Sequence, residues 1–378
     1  MRPGTWLLLV LVCLMPQPGQ AQGPRRSRVS ADAAFSLDWR RPLVRMGADR
    51  QVGISFGQPA IDLRAGLVLV GTGEGELRAY TLADGTPRWR LRHGEPFETG
   101  LTLVARPDGR AWVVAGARDG TLLAVRSDDG AEIWRLALGA DVRAAPLRVG
   151  DGLLVTTANN QVNSLDLATG AIRWSYAGTP PHGLTVAGHA RAQAGGGRVY
   201  ASFSDGQVVA LDGAQGSELW RRQLSPSAHA FRDADADPIF ADGRLYVASY
   251  GDGIYALDAA DGSVLWHHPA RHVTQLARLA TTLLVGDGDG QVQGLAPATG
   301  ARIFRLRLGT GAISRPVVDG ERAIMAAGRH GLVVLDSRNG RPLQGSRLPA
   351  VAAGDICLAG DWLALVSENG YLYVWRRG

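Results

Sequence analysis

The sequence predicts an all-β fold, an eight-bladed β-propeller of four-stranded antiparallel blades. A turn glycine followed by an aromatic residue recurs at near-constant intervals, and short apolar runs are separated by Asp-Gly pairs. The 50 glycines and 46% hydrophobic residues in a chain of 378 suit many turns around an ample core. Residues 238–266, PIFADGRLYVASYGDGIYALDAADGSVLW, show the unit most clearly. Its apolar runs break at Asp242-Gly243, Asp252-Gly253 and Asp261-Gly262, and glycine accepts the positive φ that tight hairpin turns demand. The stretch reads as one small antiparallel sheet of about four strands.

Taken from the N-terminus, residues 1–21 read as an export signal. Arg2 supplies the positive charge, residues 6–15 the apolar run, and Gly19-Gln20-Ala21 a small-x-small cleavage site. The run is too short for a comfortable permanent bilayer anchor. Residues 22–33, QGPRRSRVSADA, form a polar, flexible tether, and residues 34–378 form the propeller. Residues 34–39, AFSLDW, read as a lone strand ending in Trp. The repeats then follow as DGTPRW to Trp89, DGAEIW to Trp134, TGAIRW to Trp174, QGSELW to Trp220, DGSVLW to Trp266 and TGARIF to Phe304, with a degenerate NGRPLQ ending at Gln344. Successive intervals from Trp89 are 45, 40, 46, 46, 38 and 40 residues, the period of propeller blades.

The middle hairpin gives an independent count. It appears as EGELRAY, DGTLLAV, NQVNSLD, DGQVVALD, DGIYALD, DGQVQGL, HGLVVLD and NGYLYVW, eight copies, with little chain after the last. The eighth blade therefore lacks its outermost strand. Residues 34–39 have the required strand-plus-Trp character and can supply it, closing the ring and removing an unpaired edge. The Trp residues recur at one repeat position, as packing between blades requires, rather than gathering at a ligand.

Composition excludes several classes. The chain has no Lys, and its 40 basic residues are Arg scattered among 35 acids, for a net charge of +5 and a pI near 9.6. No basic block resembles a nucleic-acid arm, so no nucleic-acid partner is expected. Cys13 falls in the export signal and Cys357 in an apolar strand, so a disulfide framework is absent. Cys357 reads as a packing residue, since nothing nearby would lower its pKa.

Segments such as AYTLADGTPRW and ALDAADGSVLW resemble the PQQ-like β-propeller repeat, over essentially all of the chain after the signal. Within that superfamily, eight blades, export and short length resemble the BamB family of the outer-membrane β-barrel assembly machinery. Two passages sharpen the likeness: HGLTVAGHARA from His182, and DADADPIFADGRLYVASYGDGIYALD from Asp233. The resemblance implies that these loops dock the POTRA region of the barrel-forming subunit, through Leu184, Val186, Asp233 and Asp235. Ala187 stands where the family pattern implies Arg. The resemblance further implies a non-catalytic scaffold peripheral to the outer membrane on its periplasmic side, with unfolded outer-membrane proteins as clients. Family members are usually lipoproteins, but Val12 is bulky for a lipobox ending at Cys13, which favours cleavage at Ala21 without lipidation.

The sharper chemical readings fare poorly. Propellers with this repeat can carry pyrroloquinoline quinone and calcium in dehydrogenases, but those enzymes are generally longer and most pair cysteines at the cofactor, so no cofactor is expected. Asp233, Asp235 and Asp237 alternate like a calcium loop. Pro238 then occupies the place of the required Gly and Arg244 that of the terminal Glu. His267, His268 and His272 invite a zinc site, but adjacent strand residues point to opposite faces, and no metal is expected. Asp287 and Asp289 read as hairpin-turn residues. No nucleophile elbow or P-loop is present. A quinoprotein dehydrogenase and a general sensing or adhesion propeller stand as the alternatives to the scaffold.

Overall fold

The computed structural model describes residues 34–44, 57–142, 144–180, 190–224, 234, 236–328, 331–348 and 354–378. Among them, 32 strands form eight four-stranded antiparallel sheets arranged as a propeller. Blade 1 occupies residues 60–92, blade 2 102–137, blade 3 147–177, blade 4 193–223, blade 5 239–269, blade 6 273–307 and blade 7 317–346. Blade 8 takes three strands from residues 357–377 and its fourth, Phe35–Pro42, from the other end of the chain. The segment 238–266 is thus blade 5, and its turns follow the Asp-Gly pairs: Asp242 and Gly243 sit at φ 53° and 71°, and Gly262 at 73°.

Each blade has a neighbour on both faces, so its two middle strands are buried on both sides and read as continuous apolar runs. The core is accordingly a set of eight clusters, one per seam. Leu69, Leu77, Val113 and Leu123 fill the seam between blades 1 and 2, and Leu245, Val247, Tyr200 and Val208 that between blades 4 and 5.

The recurrent aromatic latches the seams between blades 1 and 7 from outside. The Trp89 indole N–H donates to the Ser127 carbonyl of blade 2 at 2.9 Å, and a Cβ on Gly130 would stand 2.6 Å from its ring. The same two contacts, an N–H to a main-chain carbonyl and a ring on a turn glycine, recur for Trp134 at Leu167 and Gly170, and for Trp174 at Gly213 and Gly216. They recur again for Trp220 at Ala259 and Gly262, and for Trp266 at Pro297 and Gly300. Phe304 rests on Gly340 of blade 7. The glycine is required twice over, by its positive φ and by the ring that lies where a side chain would begin.

Closure follows the expected route, with an extension. The closing strand runs to Pro42, three residues past Trp39, and pairs from Phe35↔Arg377 to Pro42↔Tyr371, with a bulge between Leu37 and Trp39. Trp39 latches blade 8 to blade 1, donating to the Leu82 carbonyl at 2.8 Å with its ring on Gly85. At the seam between blades 7 and 8 the outer hairpin turn does not exist, because the two outer strands of blade 8 come from opposite ends of the chain. Gln344, the degenerate repeat position, makes a different contact there. Its Oε1 accepts from Phe35 N at 2.9 Å and its Nε2 donates to Phe35 O at 2.6 Å.

Candidate docking face

Leu184, Val186, Ala187, Asp233 and Asp235 lie outside the described residues, as do the export signal and tether. What is described is where their segments rejoin the ring. Residues 181–189 lead into Arg191, and Asp233 and Asp235 lead into Asp237. Each of those two residues stands two positions before the innermost strand of its blade, Gln193–Gly195 in blade 4 and Ile239–Ala241 in blade 5. Arg315 and Asp355 hold the same place before Val317–Asp319 of blade 7 and Cys357–Ala359 of blade 8.

These four charges meet around the propeller axis. Arg191 N donates to Asp237 Oδ1 at 2.7 Å, and its Nε lies 3.3 Å from Oδ2. Arg315 reaches past blade 6 to place Nη1 2.8 Å from Asp237 Oδ2. Its own main-chain N donates to Asp355 Oδ1 at 2.8 Å, with Nε 3.6 Å from Oδ2. Asp237 therefore serves two guanidiniums, and the pair of loop ends is tied both to each other and across the ring. Burial pulls Arg315 down, but Asp237 and Asp355 together outweigh it and hold the guanidinium above its ordinary value. Burial likewise pulls Arg191 down, and with repulsion from Arg315 it prevails over Asp237, leaving this guanidinium below its ordinary value. Among the described residues, two cations and two anions meet here. Blade 1 adds a neutral member at the same position, Gln58, whose Nε2 donates to the Ile356 carbonyl of blade 8 at 2.6 Å.

Sequence reasoning weighed Asp237 only as the third member of a calcium-like triplet and passed over Arg191, Arg315 and Asp355. The signal was available as position: a charged residue stands two places before the innermost strands of blades 4, 5, 7 and 8, twice in front of proline at Pro238 and Pro316.

The other candidate residues are dispersed. His267 stacks on Tyr255 with ring centroids 4.2 Å apart and sits 3.0 Å from the Asp252 carbonyl. His272 pairs with Asp289, Nδ1 to Oδ2 at 2.8 Å. His267 and His268 are consecutive on the outer strand Val264–Pro269, which sends them to opposite faces. Asp287 Oδ1 accepts from the main-chain N of Asp289 and Gln291, as a hairpin-turn residue should. Cys357 is half-buried against the seam between blades 8 and 1, and burial pushes its thiol up to about 11, the condition of a packing residue rather than a nucleophile.

The family profile described as outer membrane protein assembly factor BamB matches residues 73–236 and 227–378. A relative of that description from Shewanella oneidensis is 24% identical over 163 residues, 41% of either chain. One from Vibrio cholerae serotype O1 is 30% identical over 138 residues, 32% of this chain and 34% of the relative. Each alignment thus spans less than half the relative's length. Among solved structures, BamB from Moraxella catarrhalis superposes with a TM-score of 0.71 at 23% identity, over 91% of this chain and 98% of that one. The quinohemoprotein alcohol dehydrogenase ADHIIG from Pseudomonas putida HK5 superposes with a TM-score of 0.69 at 12% identity, over 92% of this chain and 76% of that one. At these identities both likenesses concern the fold.

Proposed function

The chain belongs to the outer membrane protein assembly factor BamB family, and on that premise we propose that it is a non-catalytic scaffold of the barrel-assembly machinery. It is exported, works on the periplasmic side of the outer membrane, and docks the POTRA region of the barrel-forming subunit to aid insertion of outer-membrane proteins. Release from the signal at Ala21 leaves it without a lipid anchor.

The observation that carries the docking reading is the bond between Arg191 and Asp237. It brings together the ends of the two segments that bear Leu184 and Val186 on one side and Asp233 and Asp235 on the other. Apolar residues flanked by acids on a rigid ring suit a partner groove edged by Arg or Lys, where the acids orient rather than supply the bulk of the affinity. The likeness to a quinohemoprotein dehydrogenase concerns the fold, and the purified protein given pyrroloquinoline quinone and calcium should reduce no dye.

The test is capture of purified POTRA domains. Reversal of both Asp233 and Asp235 to Arg should weaken capture at least tenfold with an unchanged circular dichroism spectrum. Undiminished capture by that variant would remove the two acids from the site. Failure of the native chain to co-purify with the assembly complex would favour a sensing or adhesion propeller.

A further inference from the structure

The outer strand of blade 1, Pro87–Arg92, is an edge strand of sequence PRWRLR. Trp89 and Leu91 turn inward and pack in the seam with blade 2, while Arg88, Arg90 and Arg92 alternate with them and are exposed. None of the three guanidiniums has a hydrogen-bond or ion-pair partner among the described residues, though their main chain pairs with the neighbouring strand Glu76–Thr81. The corresponding strands of the next three blades differ. Arg135 holds Glu132 at 2.8 Å, Arg173 holds Asp166 at 2.7 Å, and Arg221 holds Glu218 at 2.6 Å. Charged side chains on an edge deter edge-to-edge pairing, and here three unpaired guanidiniums stand in a row on one face of the edge.

They also line a cleft of about 1280 Å³ between blade 1 and the end of the closing strand, shared with Arg78, Leu43 and Tyr371. The two acids in that cleft are already engaged. Arg78 holds Glu76 at 2.7 Å and Glu74 at 2.9 Å. The cleft therefore presents three free cations and no free anion among the described residues.

We propose that this edge binds an extended polypeptide segment carrying Asp or Glu at every second position. Alternate residues of an antiparallel strand are spaced by ~6.8 Å. An incoming strand has the same period as Arg88, Arg90 and Arg92, so its carboxylates fall one to one upon the guanidiniums while its backbone pairs with the free edge. Free phosphate or a lipid headgroup would answer the charge but not the register. The edge lies in blade 1 and is independent of the loops between blades 3 and 5, so the two readings fail separately.

The experiment uses the signal-free chain and a fluorescein-labelled peptide alternating Glu with Val and Thr, followed by anisotropy at low salt. The peptide should bind, and Glu→Gln replacement in it, or the triple variant Arg88→Gln, Arg90→Gln, Arg92→Gln, should weaken binding at least tenfold. Arg173→Gln should leave binding unchanged. A peptide of equal charge with its Glu residues consecutive, and one N-methylated at alternate backbone nitrogens, should each bind at least tenfold more weakly. Equal binding of either control would overturn strand addition. Vesicles of phosphatidylglycerol that displace the peptide and show the same dependence on the three arginines would assign the site to a lipid surface instead. A triple variant with native circular dichroism and full peptide affinity would overturn the site altogether.

Discussion

Gln344 bonds both main-chain polar atoms of Phe35, at a seam where an aromatic would have no turn glycine to rest upon. Its replacement by Leu leaves a buried N–H and C=O without partners, and should cost about 2–4 kcal/mol by chemical denaturation. Gln344→Trp should be no better, since the missing piece is the turn and not the ring. Elsewhere the glycine is the strict partner. Gly262 sits at φ 73° with the Trp220 ring 2.7 Å from a would-be Cβ, so Gly262→Ala should cost about 1–3 kcal/mol and shift the Trp emission. Cys357 reports on alkali. Folding raises its thiol from 9.0 to about 11, so the folded state holds that proton more tightly than the unfolded chain. Its contribution is fully present below pH 9 and lost as pH rises toward 11. Unfolding free energy measured across that window should fall, and Cys357→Ala should flatten part of the decline.

At the scale of elements, two devices are open to test. A chain lacking residues 34–42 loses the outer strand of blade 8 together with Phe35 and Trp39, and bares the edge of Tyr371–Arg377. It should unfold at lower temperature and self-associate on size exclusion, and an added peptide of residues 34–42 should restore the monomer. The charge cluster makes a second case. Asp237→Ala strips Arg191 of its carboxylate and leaves Arg315 with Asp355 alone. It should cost about 2–3 kcal/mol, at or below the low end for a buried pair broken by removing one partner, because the cluster is partly open to water. Under the docking reading it should also weaken POTRA capture without touching Asp233 or Asp235. Capture at native strength would show that the cluster serves the ring and not the loops.

For the molecule as a whole, strand order, blade count and closing strand were all legible, because turn glycines and latch aromatics are local signals repeated at a fixed period. Gln344 was legible only as a lapse in the pattern. Its purpose depends on a missing turn, and that depends on which strand ends up beside Tyr371–Arg377. The cluster of Arg191, Asp237, Arg315 and Asp355 was hidden for a related reason. No two of its members are close in sequence, and their partnership exists only once blades 4, 5, 7 and 8 surround one axis. The unpaired arginines of Pro87–Arg92 could be read as an alternation, but not as free charges, until their neighbours' partners were known.

The pairing of Phe35 with Arg377 also sets an order of events. A chain threaded outward from its N-terminus delivers the closing strand first, yet that strand has no partner until the far end of the chain arrives. Seven blades and most of the eighth can assemble from neighbours in sequence, whereas the final pairing bridges nearly the entire length and is the slow, non-local step. Until it is made, an open ring carries an unpaired edge at Tyr371–Arg377 and a vacant place beside Gln344, the two features by which a folding helper could tell an unfinished molecule from a finished one.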